Sequence, residues 1–106
     1  MRVIVYEDQS GDSAFRFWLS SLKNKQLVER ISLRVLRVVE GNFGDHKYLS
    51  DGVWELRMTF HGGIRIYYGI YQNEFILLLA GGNKASQKKD IKRAIGLWAK
   101  FQEESK

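Results

Sequence analysis

The chain has 106 residues, no cysteine and a formal net charge of +5. This length predicts one domain over residues 1–106, and a hydrophobic fraction of 44% excludes a disordered chain. No apolar run approaches the roughly 18 residues that span a bilayer, and without cysteine there is neither a disulfide framework nor a thiolate metal site. We therefore expect a cytoplasmic protein that uses no membrane, metal or cofactor.

The first half of the chain predicts one strand followed by two helices. Residues 2–7 alternate weakly between polar and apolar side chains, as a strand does. Asp12 is a candidate cap for a helix that continues through Leu22. A second helix with apolar side chains at helical spacing runs to about Glu40, where a Gly–Asn pair ends it. Residues 41–52, rich in glycine, aspartate and other polar residues, then predict a connection.

Three strands separated by compact turns are predicted in the second half of the chain. They cover residues 53–60, 64–71 and 75–80. The first two alternate with a period of two residues, which is typical of strands with one face in the core. Their register places Arg57, Arg65 and Tyr67 together on the other face, which we expect to be open. A small sheet that presents arginines beside a basic loop is a candidate polyanion site.

A last helix is predicted from about Ser86, which makes the element order β-α-α-β-β-β-α. This is an α+β fold with a small, mostly antiparallel sheet, two N-terminal helices and one C-terminal helix. Residues 84–93 carry five basic residues against one acid, and such clusters raise affinity for nucleic acid. The alternative is that the basic run is the solvated face of a helix.

Three segments together resemble one protein family over nearly the whole chain. They are GNFGDHKYLSDGVWELRM, GIRIYYGI and LLLAGGNKASQKKDI. The chain resembles the RelE/ParE superfamily of bacterial toxins, specifically the HigB-like, phage-derived addiction module killer proteins. The resemblance implies the toxin of a type II toxin–antitoxin system. It also implies a cognate antitoxin partner, which we expect to be a small helix-turn-helix protein.

The resemblance leaves two activities open, because related folds carry different functions. Most RelE-like toxins are endoribonucleases that cleave translated mRNA on the ribosome. In ParE-like toxins the same fold inhibits DNA gyrase without nuclease chemistry. We favour metal-independent cleavage of mRNA, with mRNA and the ribosome as partners, and keep gyrase inhibition as the alternative.

Two arginines are the leading catalytic candidates. Arg65 matches the arginine that RelE-like toxins place against the scissile phosphate, and Arg57 matches a basic position on the preceding strand. An arginine suits this task because its guanidinium contacts a phosphate through two donors. The alternative for Arg65 is a salt bridge to Glu55 across the hairpin, and Arg57 has the same structural alternative. On a polar face, Arg65 should be removable with little loss of stability.

Two lysines are expected to assist the arginines. Lys47 lies in the GDHKYL segment, and Lys84 follows the last strand, where the family carries basic residues. Either could transfer a proton or donate to a phosphate oxygen. The alternatives are a solvated loop lysine at Lys47 and an ordinary strand-to-helix turn at Lys84.

Further RNA contacts are expected from the basic helix and from the sheet. The predicted residues are Lys88, Lys89 and Lys92 for the phosphates and Tyr67 for base stacking. Several RelE-like nucleases carry a tyrosine in the last helix, but Gln87–Ile91 contains none. Tyr67, Tyr71 or His46 could replace it, although strand tyrosines more often pack in the core.

Overall fold

The computed structural model describes all 106 residues of the chain. Its strands are β1 (Arg2–Val5), β2 (His46–Ser50), β3 (Val53–Met58), β4 (Ile64–Tyr71) and β5 (Phe75–Gly82). Its helices are α1 (Ala14–Ser21), α2 (Lys25–Val39) and α3 (Gln87–Glu104), and a 3-10 turn at Lys84–Ser86 precedes α3. No helix is long and apolar enough to cross a membrane.

The five strands form one sheet in the order β1-β5-β4-β3-β2. Strand β1 runs parallel to β5, and every other neighbouring pair is antiparallel. The predicted α+β class with a mostly antiparallel sheet is confirmed. The predicted order of elements is wrong at one place, because β2 lies within residues 41–52, where we expected only a connection. This edge strand is mostly exposed, so it lacks the apolar alternation that marks a strand in a sequence.

Each of the two N-terminal helices begins after a residue whose side chain caps it. The Ser13 side chain accepts a hydrogen bond from the backbone N–H of Arg16 at 3.2 Å, so the cap of α1 is Ser13 rather than Asp12. The Asn24 side chain accepts from the N–H of Leu27 at 3.1 Å and caps α2.

Helices cover both faces of the sheet. On one face, α1 and α2 contribute Phe15 and Ile31 to a core that includes Leu56 of β3. On the other face, α3 packs Ala94 and Trp98 against buried side chains of β3, β4 and β5. The expectation of an open sheet face is therefore wrong. With both faces buried, functional side chains reach solvent only at the ends and edges of the sheet.

The packing of α3 depends on a glycine in β4. A Cβ atom at Gly69 would overlap the indole ring of Trp98. Trp98 itself is only 4% exposed, so its ring cannot swing into solvent without opening the core. The absence of a side chain at Gly69 is thus a packing requirement.

We expect Gly69→Ala to lower the free energy of unfolding by about 3 kcal/mol, because it overpacks a filled core. Gly96→Ala is the matched control in the exposed middle of α3, where a Cβ meets no atom within 4 Å. That change should raise the free energy of unfolding by about 1 kcal/mol through helix propensity. Urea denaturation of both variants measures the two changes. Equal stability of both variants would contradict this packing.

Candidate nucleic-acid interface

Three cationic side chains meet at one end of the sheet. Arg57 of β3 lies opposite Arg65 of β4, and Arg65 lies opposite Gly82 of β5, shortly before Lys84. They line an open cleft of about 630 Å³. Its other lining residues are Asp45, Met58, Thr59, Gly62 and Gly63. The structure thus brings together three of the four predicted catalytic residues.

A buried carboxylate lies beneath the two arginines. Glu55 is 1% exposed, and its Oε1 lies 3.8 Å from the Nε of Arg57 and 3.8 Å from the Nε of Arg65. Its Oε2 accepts a hydrogen bond from the Gln87 side chain at 3.0 Å. A buried carboxylate requires such compensation, because its desolvation is costly. Glu55 therefore ties the arginines to the start of α3.

The two arginines differ in solvent exposure and in hydrogen-bond partners. The Arg65 side chain is 13% exposed, and its Nη1 donates to the carbonyl oxygen of Gly63 at 3.0 Å. The Arg57 side chain is 36% exposed, and its Nη2 donates to the Asp45 carboxylate at 3.1 Å. The Nε atoms of both are buried without a hydrogen-bond acceptor from the protein, since 3.8 Å exceeds hydrogen-bond length. The predicted alternative of an Arg65–Glu55 ion pair is thus present, together with a guanidinium that borders the cleft.

Arg34 of α2 holds the loop that carries Asp45. Its guanidinium donates to the carbonyl oxygens of Phe43, Asp45 and Arg57, each at 2.9 Å. Burial lowers the pKa of Arg34 from its ordinary value. Sequence reasoning missed this role. The available signal was the position of Arg34 between Ile31 and Val38, which both lie on the buried side of α2.

The hairpin between β3 and β4 brings Lys84 close to Arg65. The backbone N–H of Lys84 donates to the carbonyl oxygen of Gly62 at 3.3 Å. A Cβ atom at Gly63 would lie 2.9 Å from Nη1 of Arg65 and 3.4 Å from Cβ of Lys84. Gly63 also has φ of +80°, which favours glycine. Gly63 therefore lets the backbone pass between the two cations.

An acidic side chain lies in the first turn of α3. The Ser86 hydroxyl donates to the Asp90 carboxylate at 2.5 Å, in the first turn of the helix. A carboxylate in this position interacts favourably with the helix dipole. The first turn of α3 thus contains an acidic side chain of its own, which lowers the positive potential there.

The remaining predicted lysines lie outside the cleft. Lys47 lies on the exposed edge strand β2, directly opposite Glu55 in register, but it does not line the cleft. Lys88, Lys89 and Lys92 are exposed on the first turns of α3 and form no ion pair within the chain. They extend the positive surface away from the cleft along the helix.

The predicted aromatic contacts are not placed for base stacking. Tyr67 is 0% exposed beneath α3, and burial followed by the charges of Glu55 and Asp90 raises its pKa. The prediction that Tyr67 contacts RNA from an open face is therefore wrong. Tyr71 packs against Phe75 and Phe101 in the opposite part of the α3 core. His46 is exposed beside Trp54 and lies outside the cleft lining.

Comparison with known proteins gives a relative but no activity. No protein-family model matches the chain. The chain is 44% identical over 80 residues to an uncharacterized protein of Haemophilus influenzae, covering 76% of this chain and 81% of that protein. The chain belongs to the family of that protein. In the folded chain, no group of three or more His, Cys, Asp or Glu side chains is arranged to hold a metal ion.

We expect Glu55 and Arg65 to be energetically coupled. A double-mutant cycle with Glu55→Gln and Arg65→Gln should give a coupling energy of about 2 kcal/mol in urea denaturation, because the carboxylate is buried. The exposed Arg16–Glu7 pair is the control. Although its N···O distance is only 2.9 Å, its coupling should stay below about 1 kcal/mol. The prediction fails if the exposed pair couples more strongly than the buried one.

Proposed function

We propose that this chain is a RelE-like toxin of a type II toxin–antitoxin system that cleaves translated mRNA without a metal ion. The observation that supports the proposal is the convergence of Arg57, Arg65 and Lys84 on one open cleft. Two guanidinium groups held side by side match the oxygens of a phosphodiester, because each offers a fork of donors. The resemblance of the GIRIYYGI and VWELRM strands to HigB-like toxins supplies the reaction.

In the proposed reaction, the 2′-hydroxyl of one nucleotide attacks the adjacent phosphorus. The new bond joins the 2′-oxygen to phosphorus, the bond from phosphorus to the 5′-oxygen breaks, and the products are a 2′,3′-cyclic phosphate and a 5′-hydroxyl. Arg65 and Arg57 stabilise the negative charge that grows on the phosphate oxygens, since preorganised donors act most strongly on developing charge.

Two further cleft residues are assigned to proton transfer. The Asp45 carboxylate accepts the proton from the 2′-hydroxyl, and the Lys84 ammonium group donates a proton to the leaving 5′-oxygen. Such general acid–base assistance typically contributes a factor of about 10² to 10⁴. Lys47, which lies outside the cleft lining, contacts the phosphate backbone rather than the reacting atoms.

The central test compares two substitutions of Arg65. A polar-face arginine should be removable with little loss of stability, but Arg65 compensates the buried Glu55 carboxylate. We therefore expect Arg65→Ala to lower the free energy of unfolding by about 3 kcal/mol. Arg65→Lys keeps the charge and loses the fork of donors. We expect it to remain folded and to lose about 10² to 10³ in cleavage rate.

The assay is translation-coupled mRNA cleavage mapped by primer extension, with thermal melting of each variant and Lys100→Ala as the surface control. Normal cleavage by a folded Arg65→Lys variant would remove Arg65 from the centre of the site. A wild-type protein that cleaves no mRNA but traps gyrase on DNA would establish the ParE-like alternative instead.

We expect substitutions of Lys84 and Lys47 to lower the cleavage rate by different amounts, because only Lys84 lines the cleft. Lys84→Ala should lower the cleavage rate by about 10²-fold, because Lys84 lines the cleft and protonates the leaving group. Lys47→Ala should change it by less than about 10-fold, since an exposed charge acts weakly at a distance. Single-turnover cleavage of a defined mRNA on ribosomes measures both. A larger loss from Lys47→Ala than from Lys84→Ala would contradict the assignment.

The charge of the cleft also indicates where the proposed antitoxin would bind. A cleft lined by three cations favours a partner segment that carries carboxylates, because opposite potentials at an interface guide association. We therefore expect the cognate antitoxin to cover this cleft and to compete with RNA.

A further inference from the structure

A second cationic cleft lies near the β3–β4 hairpin, beside the cleft that contains Arg57 and Arg65. It has a volume of about 280 Å³ and is lined by Arg30, Leu33, Arg34, Arg37, Met58 and Phe60. Met58 lines this cleft and also the one that contains Arg57 and Arg65. The two clefts therefore share the last residue of β3 as a lining residue.

Two of the three arginines in this second cleft form no ion pair. Arg30 and Arg37 are exposed and form no ion pair within the chain, whereas Arg34 is engaged by three backbone carbonyls. The guanidinium carbon of Arg30 lies 4.6 Å from the centre of the Phe60 ring. The His61 ring meets the edge of Phe60 with 6.1 Å between ring centres. The Arg30 guanidinium is thus stacked on the half-buried Phe60 ring, and Arg37 lies in the same cleft without an ion pair.

We propose that a single strand of RNA runs from the cleft at Arg65, across the hairpin, and onto the surface formed by Arg30, Phe60 and Arg37. This inference rests on the proposed function and extends it to the nucleotides beside the scissile phosphate. Free cations interleaved with aromatic rings are the features that bind single-stranded nucleic acid, because the cations contact phosphates and the rings stack on bases.

The hairpin itself favours a strand over a duplex. His61, Gly62 and Gly63 form the turn of the hairpin in left-handed backbone conformations, and Thr59 and His61 are exposed there. A single strand can bend around such a turn with its bases splayed, whereas the bases of a duplex stay paired and stacked. Gly62 and Gly63 line the first cleft and Phe60 lines the second, so the path crosses the turn between them.

The experiment measures the binding of labelled single-stranded RNA oligonucleotides of increasing length by fluorescence anisotropy at several salt concentrations. Three proteins are compared: wild type, Arg30→Ala/Arg37→Ala, and Lys100→Ala/Lys106→Ala. The control double variant loses the same charge near and just beyond the C-terminal end of α3 (Gln87–Glu104), about 20 Å or more from the start of that helix. A fourth protein, Phe60→Leu, keeps the arginines and removes the ring.

We expect Arg30→Ala/Arg37→Ala to bind the shortest oligonucleotides as wild type does and to lose affinity for the longer ones. Its slope of log affinity against log salt should fall by about 0.7 per arginine. Phe60→Leu should weaken binding of long oligonucleotides by roughly 5- to 100-fold with an unchanged slope, because stacking carries no charge. The control should match wild type.

Three results would overturn the inference. Equal affinity of the Arg30→Ala/Arg37→Ala and control variants for long RNA removes the path while leaving the first cleft, and therefore the proposed function, intact. Normal RNA binding by that variant together with lost binding of polyglutamate assigns the surface to an acidic protein. No RNA binding by the wild-type protein overturns the path and the proposed function together.

Discussion

The burial of the Glu55 carboxylate is the constraint on which the end of the sheet depends. A carboxylate that is 1% exposed must be compensated where it lies, because an uncompensated buried charge would cost several kcal/mol. Arg57, Arg65 and Gln87 provide that compensation from two strands and a helix. The same contacts fix the two guanidinium groups side by side, so stability and the geometry of the candidate site share one cause.

The three-layer arrangement explains why the site lies at the end of the sheet. With α1 and α2 on one face and α3 on the other, the middle of every central strand is buried. A side chain of a central strand reaches solvent where these helices stop, as Arg57 and Arg65 do near the β3–β4 hairpin. Gly63 of that hairpin then lets the backbone approach the side chains of Arg65 and Lys84 without steric conflict.

Much of this fold was predictable from local patterns. Strands β3, β4 and β5 and the three helices follow from apolar periodicity, and pairing in register placed Arg57 beside Arg65 correctly. Strand β2 was not predictable in this way, because an exposed edge strand carries no apolar alternation. The burial of the sheet face that we expected to be open was predictable from one pattern. Residues 75–80 are apolar on both faces, and a strand of that kind is covered on both sides. The stripe containing Ile91 and Trp98 was the available cover, and it buries Tyr67.

The site was less predictable than the fold, since its geometry depends on contacts distant in sequence. Arg34 and Asp45 belong to segments that predict a helix face and a loop. Only the folded chain shows Arg34 fixing the Asp45 backbone while the Asp45 carboxylate pairs with Arg57. Likewise, Lys84 and Lys92 are close in sequence, but the helix axis carries Lys92 away from the cleft that Lys84 lines.

The two carboxylates at Arg57 have different consequences for a ligand. Glu55 is buried and held by Gln87, so a phosphate that enters the cleft cannot displace it without opening the packing of α3. Asp45 is exposed, and its attachment to Arg34 runs through its backbone carbonyl rather than its carboxylate. Its side chain can therefore turn away from Arg57 while the loop stays in place. In the proposed function, Arg65 is the fixed phosphate contact and Arg57 exchanges Asp45 for the phosphate, which frees the Asp45 carboxylate to accept a proton just as substrate binds.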